Sequence, residues 1–139
     1  HKYWSKTDVS VIQQYLDFRN RYNVPIWMGE SGENTDEWIT QFVDLLNKND
    51  IGWTFWPYKK ISKTSAVVTI TPPEGWDKIV AFAKLPRGTG QVEERLKVRP
   101  DQDTIDRAFA GLLENIKLKN CHVNPGYLKA LGMKPVSVN

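Results

Sequence analysis

The sequence predicts an α/β fold with parallel strands, and the first observation behind it is the spacing of distinctive residues around Glu30. Tyr3 lies 27 residues before Glu30, and Trp56 lies 26 residues after it. A strand, a returning helix and two loops take roughly 25 to 30 residues, so groups at this interval lie at the same end of adjacent parallel strands. In a (β/α)8 barrel, that end of the strands carries the active site.

The second observation is that helix and strand patterns alternate along the chain. Apolar residues at helical spacing predict a helix from Thr7 or Asp8 to about Tyr22. The run 24–28 is continuously apolar, which predicts a strand buried on both faces. Alternation of this kind is typical of a parallel sheet covered by helices.

A second helix and a further strand follow. Asn34 and Glu37 resemble a capping pair, and the apolar period behind them continues to Lys48. The aromatic-rich run 51–56 predicts the next short strand. The stretch 57–73 is long for a loop after a strand, and such loops often shape a substrate site.

Three more helices are predicted in the second half of the chain. Pro73 suits the first turn of a helix that runs to about Lys84. Residues 85–91 have the composition of a surface linker. The stretch 101–119 has the single apolar face of an amphipathic helix, and a short helix is predicted over 125–131. We predict no chemistry in these last two helices.

Chain length limits this architecture. A whole (β/α)8 barrel needs about 250 residues, whereas this chain has 139. We therefore expect residues 1–85 to be the C-terminal βα units of a TIM barrel, about strands six to eight. Residues 86–139 are expected to be a linker and an extra C-terminal helical extension that packs on the barrel.

Composition disfavours several classes of function. The net charge of +3 is spread along the chain without a long basic face, so we expect no nucleic acid partner. Cys121 is the only cysteine, which excludes an intrachain disulfide and a cysteine-based metal site. The two histidines lie in no metal-binding motif, and we predict no metal and no cofactor. No apolar stretch reaches the length of about 18 residues that a membrane span needs.

Glu30 is the leading candidate for chemistry. It leaves a strand too apolar to hold an unpaired charge, so its carboxylate is expected at the mouth of the sheet. Trp56 ends the next strand, where an indole can stack on the apolar face of a sugar ring. His1 and Tyr3 share one face of the first strand and suit hydrogen bonding to hydroxyls and to a carboxylate.

Three motifs end the predicted strands: His1-Lys2-Tyr3-Trp4, Trp27-Met28-Gly29-Glu30-Ser31-Gly32 and Gly52-Trp53-Thr54-Phe55-Trp56. Together, over residues 1 to 85, they resemble strands six to eight of the family 5 glycoside hydrolases, the cellulase-like (β/α)8 barrels. The resemblance implies that Glu30 is the catalytic nucleophile, that the Tyr3 hydroxyl lies against it and that His1 lies near the scissile bond. It also implies that Trp56 lies under the sugar at the −1 subsite and that Lys59 or Lys60 lies in a glycone subsite.

The implied activity is that of a retaining glycoside hydrolase of β-linked polysaccharide, with β-glucan the leading substrate, in an extracellular or periplasmic setting. Such enzymes place two carboxyl groups about 5 to 5.5 Å apart. The family carries its acid/base in an Asn-Glu pair after strand four, and no Asn-Glu pair occurs in this chain. We therefore expect this chain to act only together with the N-terminal portion of the barrel, as a separate or cleaved chain.

Two other functions compete with this prediction. The run Gly29-Glu30-Ser31-Gly32-Glu33 nearly matches the nucleophile elbow of serine hydrolases, although Glu33 replaces its final glycine. Six Trp and five Tyr also fit a non-catalytic carbohydrate-binding protein. Carbohydrate-binding modules are mostly β-sandwiches, and the long helical periods of this chain disfavour a sandwich.

Overall fold

The computed structural model describes residues 2–88 and 91–134. In this part of the chain the fold is mixed α/β, with one two-stranded sheet, one three-stranded sheet and six α-helices. The strands are β1 (Trp27–Met28), β2 (Gly52–Trp53), β3 (Lys59–Ile61), β4 (Val68–Ile70) and β5 (His122–Val123). The helices are α1 (Gln13–Tyr22), α2 (Asp36–Lys48), α3 (Trp76–Ala83), α4 (Val92–Lys97), α5 (Gln102–Asn115) and α6 (Pro125–Ala130). Short 3-10 helices cover Val9–Val11 and Leu118–Asn120.

The two-stranded sheet is parallel, as the alternation of strands and helices predicts. In β1 and β2, Trp27 lies opposite Gly52, and Met28 lies opposite Trp53. α2 connects the two strands, so this unit is a βαβ crossover. The prediction of adjacent parallel strands at these positions is confirmed.

Isolated parallel bridges continue the pairing beyond the ends of these strands. Lys2 pairs with Ser31, and Gly32 pairs with Trp56. The segment after β1 therefore lies between the N-terminal segment and the segment after β2. This placement brings the ends of all three segments to one edge of the sheet.

Burial of β1 differs between its two faces, so the prediction of a strand buried on both faces is wrong. Met28 lies in a core that also contains Ile12, Leu16, Phe42, Leu46 and Ile51. Trp27 is 65% exposed. A Cβ atom added to Gly52 would collide with the ring of Trp27, so the indole lies across the neighbouring strand. Helices α1 and α2 supply the core on one face, and within residues 2–88 and 91–134 the Trp27 face is left largely uncovered.

The first two helices begin and end where local chemistry allows. Asp8 caps the 3-10 helix that precedes α1, and Asn23 ends α1 in the left-handed conformation with φ of 51°. Thr35 caps α2, because its hydroxyl accepts a hydrogen bond from the Trp38 amide at 3.2 Å. The predicted cap at Asn34 is therefore wrong by one residue.

The chain divides into two compact units. The first comprises His1–Thr69 and Val123–Asn139, and the second comprises Ile70–His122. α6 packs with α2 in the first unit, where Ile39, Val43, Tyr127, Ala130 and Leu131 form a second buried cluster. α3 belongs to the second unit. The division into units thus does not coincide with the predicted domain boundary between residues 85 and 86.

Within the second unit, α3 packs on α5. The rings of Trp76 and Phe109 meet edge to face at 5.6 Å. α3 begins later than predicted, because Gly75 adopts a left-handed conformation with φ of 78° just before Trp76. Asp101 caps α5 by accepting a hydrogen bond from the Thr104 amide at 2.7 Å.

Several short elements were not predicted. α4 has acidic residues in its first turn and basic residues in its last turn, an arrangement that stabilises a helix through its dipole rather than through an apolar period. Strands β3, β4 and β5 form the three-stranded sheet in that order. In the described part of the chain, no helix is both long and apolar enough to span a membrane.

Candidate active site

Tyr3 and Glu30 are in direct contact. The Tyr3 hydroxyl donates a hydrogen bond to Oε1 of Glu30, and the Lys2 amide donates to the Glu30 carbonyl oxygen at 3.3 Å. The side-chain hydrogen bond, assisted by desolvation and by the negative charge of Glu30, raises the pKa of Tyr3 to about 12. At neutral pH the Tyr3 hydroxyl is therefore a proton donor that holds one oxygen of the carboxylate.

Asn34 joins the loop after Glu30 to the segment that carries Tyr3. Its amide nitrogen donates to the Tyr3 carbonyl oxygen, and its side-chain oxygen accepts from the Thr35 amide at 2.7 Å. The nitrogen and the oxygen of the Asn34 side chain thus both form hydrogen bonds with backbone groups. The sequence pattern gave Asn34 a capping role, and its support of Tyr3 was not predicted.

An ion pair lies in the same loop. Nζ of Lys60 contacts Oε1 of Glu33, and both side chains are partly buried. Nζ of Lys60 also lies 3.5 Å from the Ser65 hydroxyl. Lys60 is thus tied to the loop that follows Glu30. Nζ of Lys59 lies 5.7 Å from the centre of the Tyr58 ring.

The backbone of Trp56 is fixed by hydrogen bonds, whereas its side chain is exposed to solvent. Its amide donates to the Ser31 carbonyl oxygen at 2.6 Å, and its carbonyl oxygen accepts from the Tyr127 hydroxyl at 3.1 Å. The Trp56 side chain is 51% exposed. The strand end therefore presents a positioned indole next to the strand end that carries Glu30.

Ser31 has a structural role. The residue is buried, and its hydroxyl lies 3.3 Å from the Thr54 carbonyl oxygen, to which it donates. The hydroxyl of Thr54 in turn contacts the Gly29 carbonyl oxygen. These bonds tie the two strand ends together, and a buried hydroxyl committed to a backbone carbonyl does not favour the serine hydrolase alternative.

A polar cleft of about 440 Å³ adjoins this centre. Trp4, which is 78% exposed, contributes an aromatic wall. The other lining residues are Glu33, Asn34, Thr35, Asp36, Thr64 and Ser65. One flat apolar surface among hydroxyl, amide and carboxylate groups is the kind of lining that suits a polyhydroxylated ligand.

The structure brings several of the predicted site residues together. Tyr3 contacts Glu30, Trp56 follows the adjacent strand, and Lys60 contacts the loop after Glu30. His1 lies outside the described residues. Tyr127 was missed, because its contact with Trp56 spans 71 residues and leaves no local sequence signal.

Neither a metal-binding cluster nor a similar known protein adds to the assignment of this site. Within residues 2–88 and 91–134, no three His, Cys, Asp or Glu side chains are grouped so that they could hold a metal ion. No family model matches the chain, and no curated protein or solved structure matches it. The residues around Glu30 and their geometry are therefore what indicates a function.

Proposed function

We propose that this chain is the C-terminal part of a retaining glycoside hydrolase with a (β/α)8 barrel. Its substrate is a β-linked polysaccharide, β-glucan first, in an extracellular or periplasmic setting, and Glu30 is its nucleophile. The observation that carries the proposal is the hydrogen bond from the Tyr3 hydroxyl to the Glu30 carboxylate, one strand away from the exposed Trp56. A carboxylate, its donor and an aromatic platform at one end of parallel strands suit glycoside chemistry.

The uncovered face of the parallel sheet supports the barrel. In a (β/α)8 barrel, helices cover the outer face of the strands and side chains fill the interior. Met28 packs toward the helices, whereas Trp27 is mostly exposed. A large indole on the face away from the helices suits an interior that further strands close. The N-terminal portion of the barrel is the partner that would cover it.

In the proposed mechanism, one oxygen of the Glu30 carboxylate attacks the anomeric carbon of the bound sugar. The bond from the anomeric carbon to the leaving oxygen breaks, and a carboxylic acid from the N-terminal portion of the barrel protonates that oxygen. Water then attacks the anomeric carbon of the glycosyl ester, and the bond to Glu30 breaks, which releases the Glu30 carboxylate. The residue of the N-terminal portion that protonated the leaving oxygen, now a carboxylate, takes the proton from this water. Tyr3 orients the Glu30 carboxylate, and Trp56 packs against the sugar ring.

Covalent trapping tests this assignment. The protein with its N-terminal barrel portion is incubated with 2-deoxy-2-fluoro β-glycosides, which slow the second step more than the first and accumulate the glycosyl enzyme. We expect hydrolysis of β-glucan by the wild type and a sugar adduct on the peptide that contains Glu30. Glu30→Gln is expected to abolish both, whereas Glu93→Gln, a matched change of an exposed carboxylate on α4, is expected to leave both intact. An adduct on another residue, or full activity in Glu30→Gln, contradicts the proposal.

A non-catalytic carbohydrate-binding protein is the second candidate, and the exposed Trp4 in its polar cleft favours it. A binding protein needs a sugar platform but no paired carboxylates. Isothermal titration with cello-oligosaccharides separates the two functions. Binding that persists in Glu30→Gln and is lost in Trp4→Ala, without hydrolysis by the wild type, would favour the binding protein.

A further inference from the structure

Helix α6 brings one buried hydroxyl to the candidate active site. Tyr127 on α6 is 1% exposed and lies in the apolar cluster that α6 forms with α2. Its ring meets Phe55 edge to face at 6.3 Å. A phenol in such surroundings needs a hydrogen-bond partner, because burying an unpaired hydroxyl is costly.

The partner of this hydroxyl is the backbone of Trp56. The Tyr127 hydroxyl donates to the Trp56 carbonyl oxygen at 3.1 Å. A Cβ atom added to Gly32 would lie 2.8 Å from the same hydroxyl, so the phenol also reaches the strand end that follows Glu30. Burial raises the pKa of Tyr127 to about 12, so the hydroxyl stays protonated and able to donate well into the alkaline range.

The Trp56 backbone is consequently held from two sides. The Ser31 carbonyl oxygen accepts from the Trp56 amide, and the Tyr127 hydroxyl donates to the Trp56 carbonyl oxygen. The Cα–Cβ bond of a residue is oriented by its backbone. These two hydrogen bonds therefore fix the position and direction from which the exposed Trp56 indole projects. Without the Tyr127 hydroxyl, only the bond to the segment after Glu30 would remain of this pair.

The segment before α6 fixes the loop behind Trp56. The Asn124 amide donates to the Val67 carbonyl oxygen at 3.0 Å, and its side-chain nitrogen donates to the Ala66 carbonyl oxygen at 2.8 Å. The Asn124 side chain also lies within hydrogen-bond distance of the Thr69 hydroxyl. The segment that leads into α6 is thereby fixed to the loop, and α6 carries Tyr127 to the strand ends.

We propose that Tyr127 is a positioning residue for the substrate site. Its hydroxyl sets the Trp56 backbone and, through it, the position of the sugar-stacking indole relative to Glu30. This inference rests on the proposed glycosidase function. It also gives the C-terminal segment a role in substrate binding, although no chemistry was predicted there.

Tyr127→Phe tests the role, because it removes the hydroxyl and keeps the ring in its cluster. In the protein with its N-terminal barrel portion, we expect kcat/KM for β-glucan oligosaccharides to fall about three- to tenfold, the effect of losing one hydrogen bond. In Trp56→Ala, adding Tyr127→Phe is expected to cost almost nothing more, because the hydroxyl acts through the indole. The shape of the pH profile is expected to stay unchanged.

A readout that needs no activity separates this inference from the proposed function. With 5-fluorotryptophan incorporated, the Trp56 resonance is identified by its loss in Trp56→Phe. We expect Tyr127→Phe to shift or broaden this resonance, and Tyr15→Phe, a matched loss of a partly buried hydroxyl in the same unit, to leave it unchanged. An unmoved Trp56 resonance in Tyr127→Phe, or losses that add fully in the double variant, overturns the positioning role. A wild type without hydrolytic activity overturns the glycosidase proposal instead, and the fluorine resonance still decides whether Tyr127 positions Trp56.

Discussion

At the residue scale, the main interaction of the candidate site is the hydrogen bond between Tyr3 and Glu30. The two residues are far apart in sequence, and the parallel bridge between Lys2 and Ser31 is what brings them together. The hydroxyl donates to a carboxylate oxygen, and Asn34 holds the Tyr3 backbone from the loop after Glu30. A hydrogen bond to a charged group contributes more than one between neutral groups. The proposed hydrolytic activity and the pH dependence of stability are therefore both expected to depend on Tyr3.

Under the proposed glycosidase function, replacing Tyr3 by Phe is expected to lower kcat about ten- to hundredfold, because the carboxylate loses a charge-assisted hydrogen bond. Steady-state hydrolysis of an aryl β-glucoside by the protein with its N-terminal barrel portion measures the loss. Tyr22→Phe removes an exposed hydroxyl at the end of α1 and is the matched control, with wild-type kcat expected. Equal kcat in Tyr3→Phe and the control would show that the hydroxyl does not assist Glu30.

The same pair predicts a pH dependence at the alkaline end. The pKa of Tyr3 rises from an ordinary value of 10.0 to about 12. The folded state holds this proton more tightly than the unfolded state, so the stabilisation is complete below pH 10 and is lost as the pH rises to about 12. Ultraviolet absorbance of tyrosinate, taken as wild type minus Tyr3→Phe, is expected to show a step near pH 12. A step at the ordinary pKa of an exposed tyrosine would contradict the hydrogen bond.

At the element scale, the start of α2 determines how the loop after Glu30 enters a helix. Thr35 caps this helix, and the acidic residues Asp36 and Glu37 favour its positive end. The cap is adjacent to Asn34, which supports Tyr3. The stability of this helix end and the placement of the Glu30 loop are thus linked.

Thr35→Ala is expected to destabilise the protein by about 1 kcal/mol, because the Trp38 amide loses its capping acceptor. Urea unfolding followed by far-ultraviolet circular dichroism measures the change. Thr40→Ala, on an exposed turn inside the same helix, is expected to be neutral or slightly stabilising because alanine has the higher helix propensity. A loss of similar size in both variants would indicate that the Thr35 cap contributes nothing specific.

The pairing of β1 with β2 depends on a small residue opposite Trp27. Gly52→Ala places a methyl group against the Trp27 ring and is expected to destabilise the protein by roughly 1–3 kcal/mol. Gly29→Ala is the matched control, since its Cβ would lie 3.9 Å from the nearest atom of the same ring. Thermal unfolding and tryptophan fluorescence of the two variants are compared. Wild-type stability in Gly52→Ala would mean that the indole does not lie over this strand.

At the scale of the whole molecule, local patterns predicted more than distant contacts did. The periods of α1, α2, α5 and α6 lie within each segment, so these helices were predicted from the sequence. Their ends were less well predicted, since α1 begins at Gln13 rather than near Asp8 and α5 ends at Asn115 rather than near residue 119. The exposure of Trp27 was not predicted, because an apolar strand does not reveal which face its neighbours cover. The same limit applies to the site. The βα spacing placed Tyr3 and Trp56 beside Glu30. The hydrogen bonds of Tyr127 to Trp56 and of Asn124 to Ala66 join residues far apart in the sequence, and no short sequence pattern predicts such contacts.

The first compact unit combines the beginning and the end of the chain, which predicts an effect of truncation. Ending the chain at His122 removes α6 and uncovers Ile39 and Val43 on α2. We expect the first unit to lose cooperative thermal unfolding, measured by near-ultraviolet circular dichroism. An unchanged unfolding transition would mean that the C-terminal segment does not stabilise the rest of the first unit.

Gly32 carries a consequence for how far the sequence can vary at the site. With φ of 118°, it adopts a backbone conformation that residues with a side chain rarely take. A methyl group there would collide with the Trp56 carbonyl oxygen and crowd the Tyr127 hydroxyl. Three distant parts of the chain can therefore approach one another only because a side chain is missing at this position. Related chains with the same site should keep this glycine even where the neighbouring aromatic residues differ.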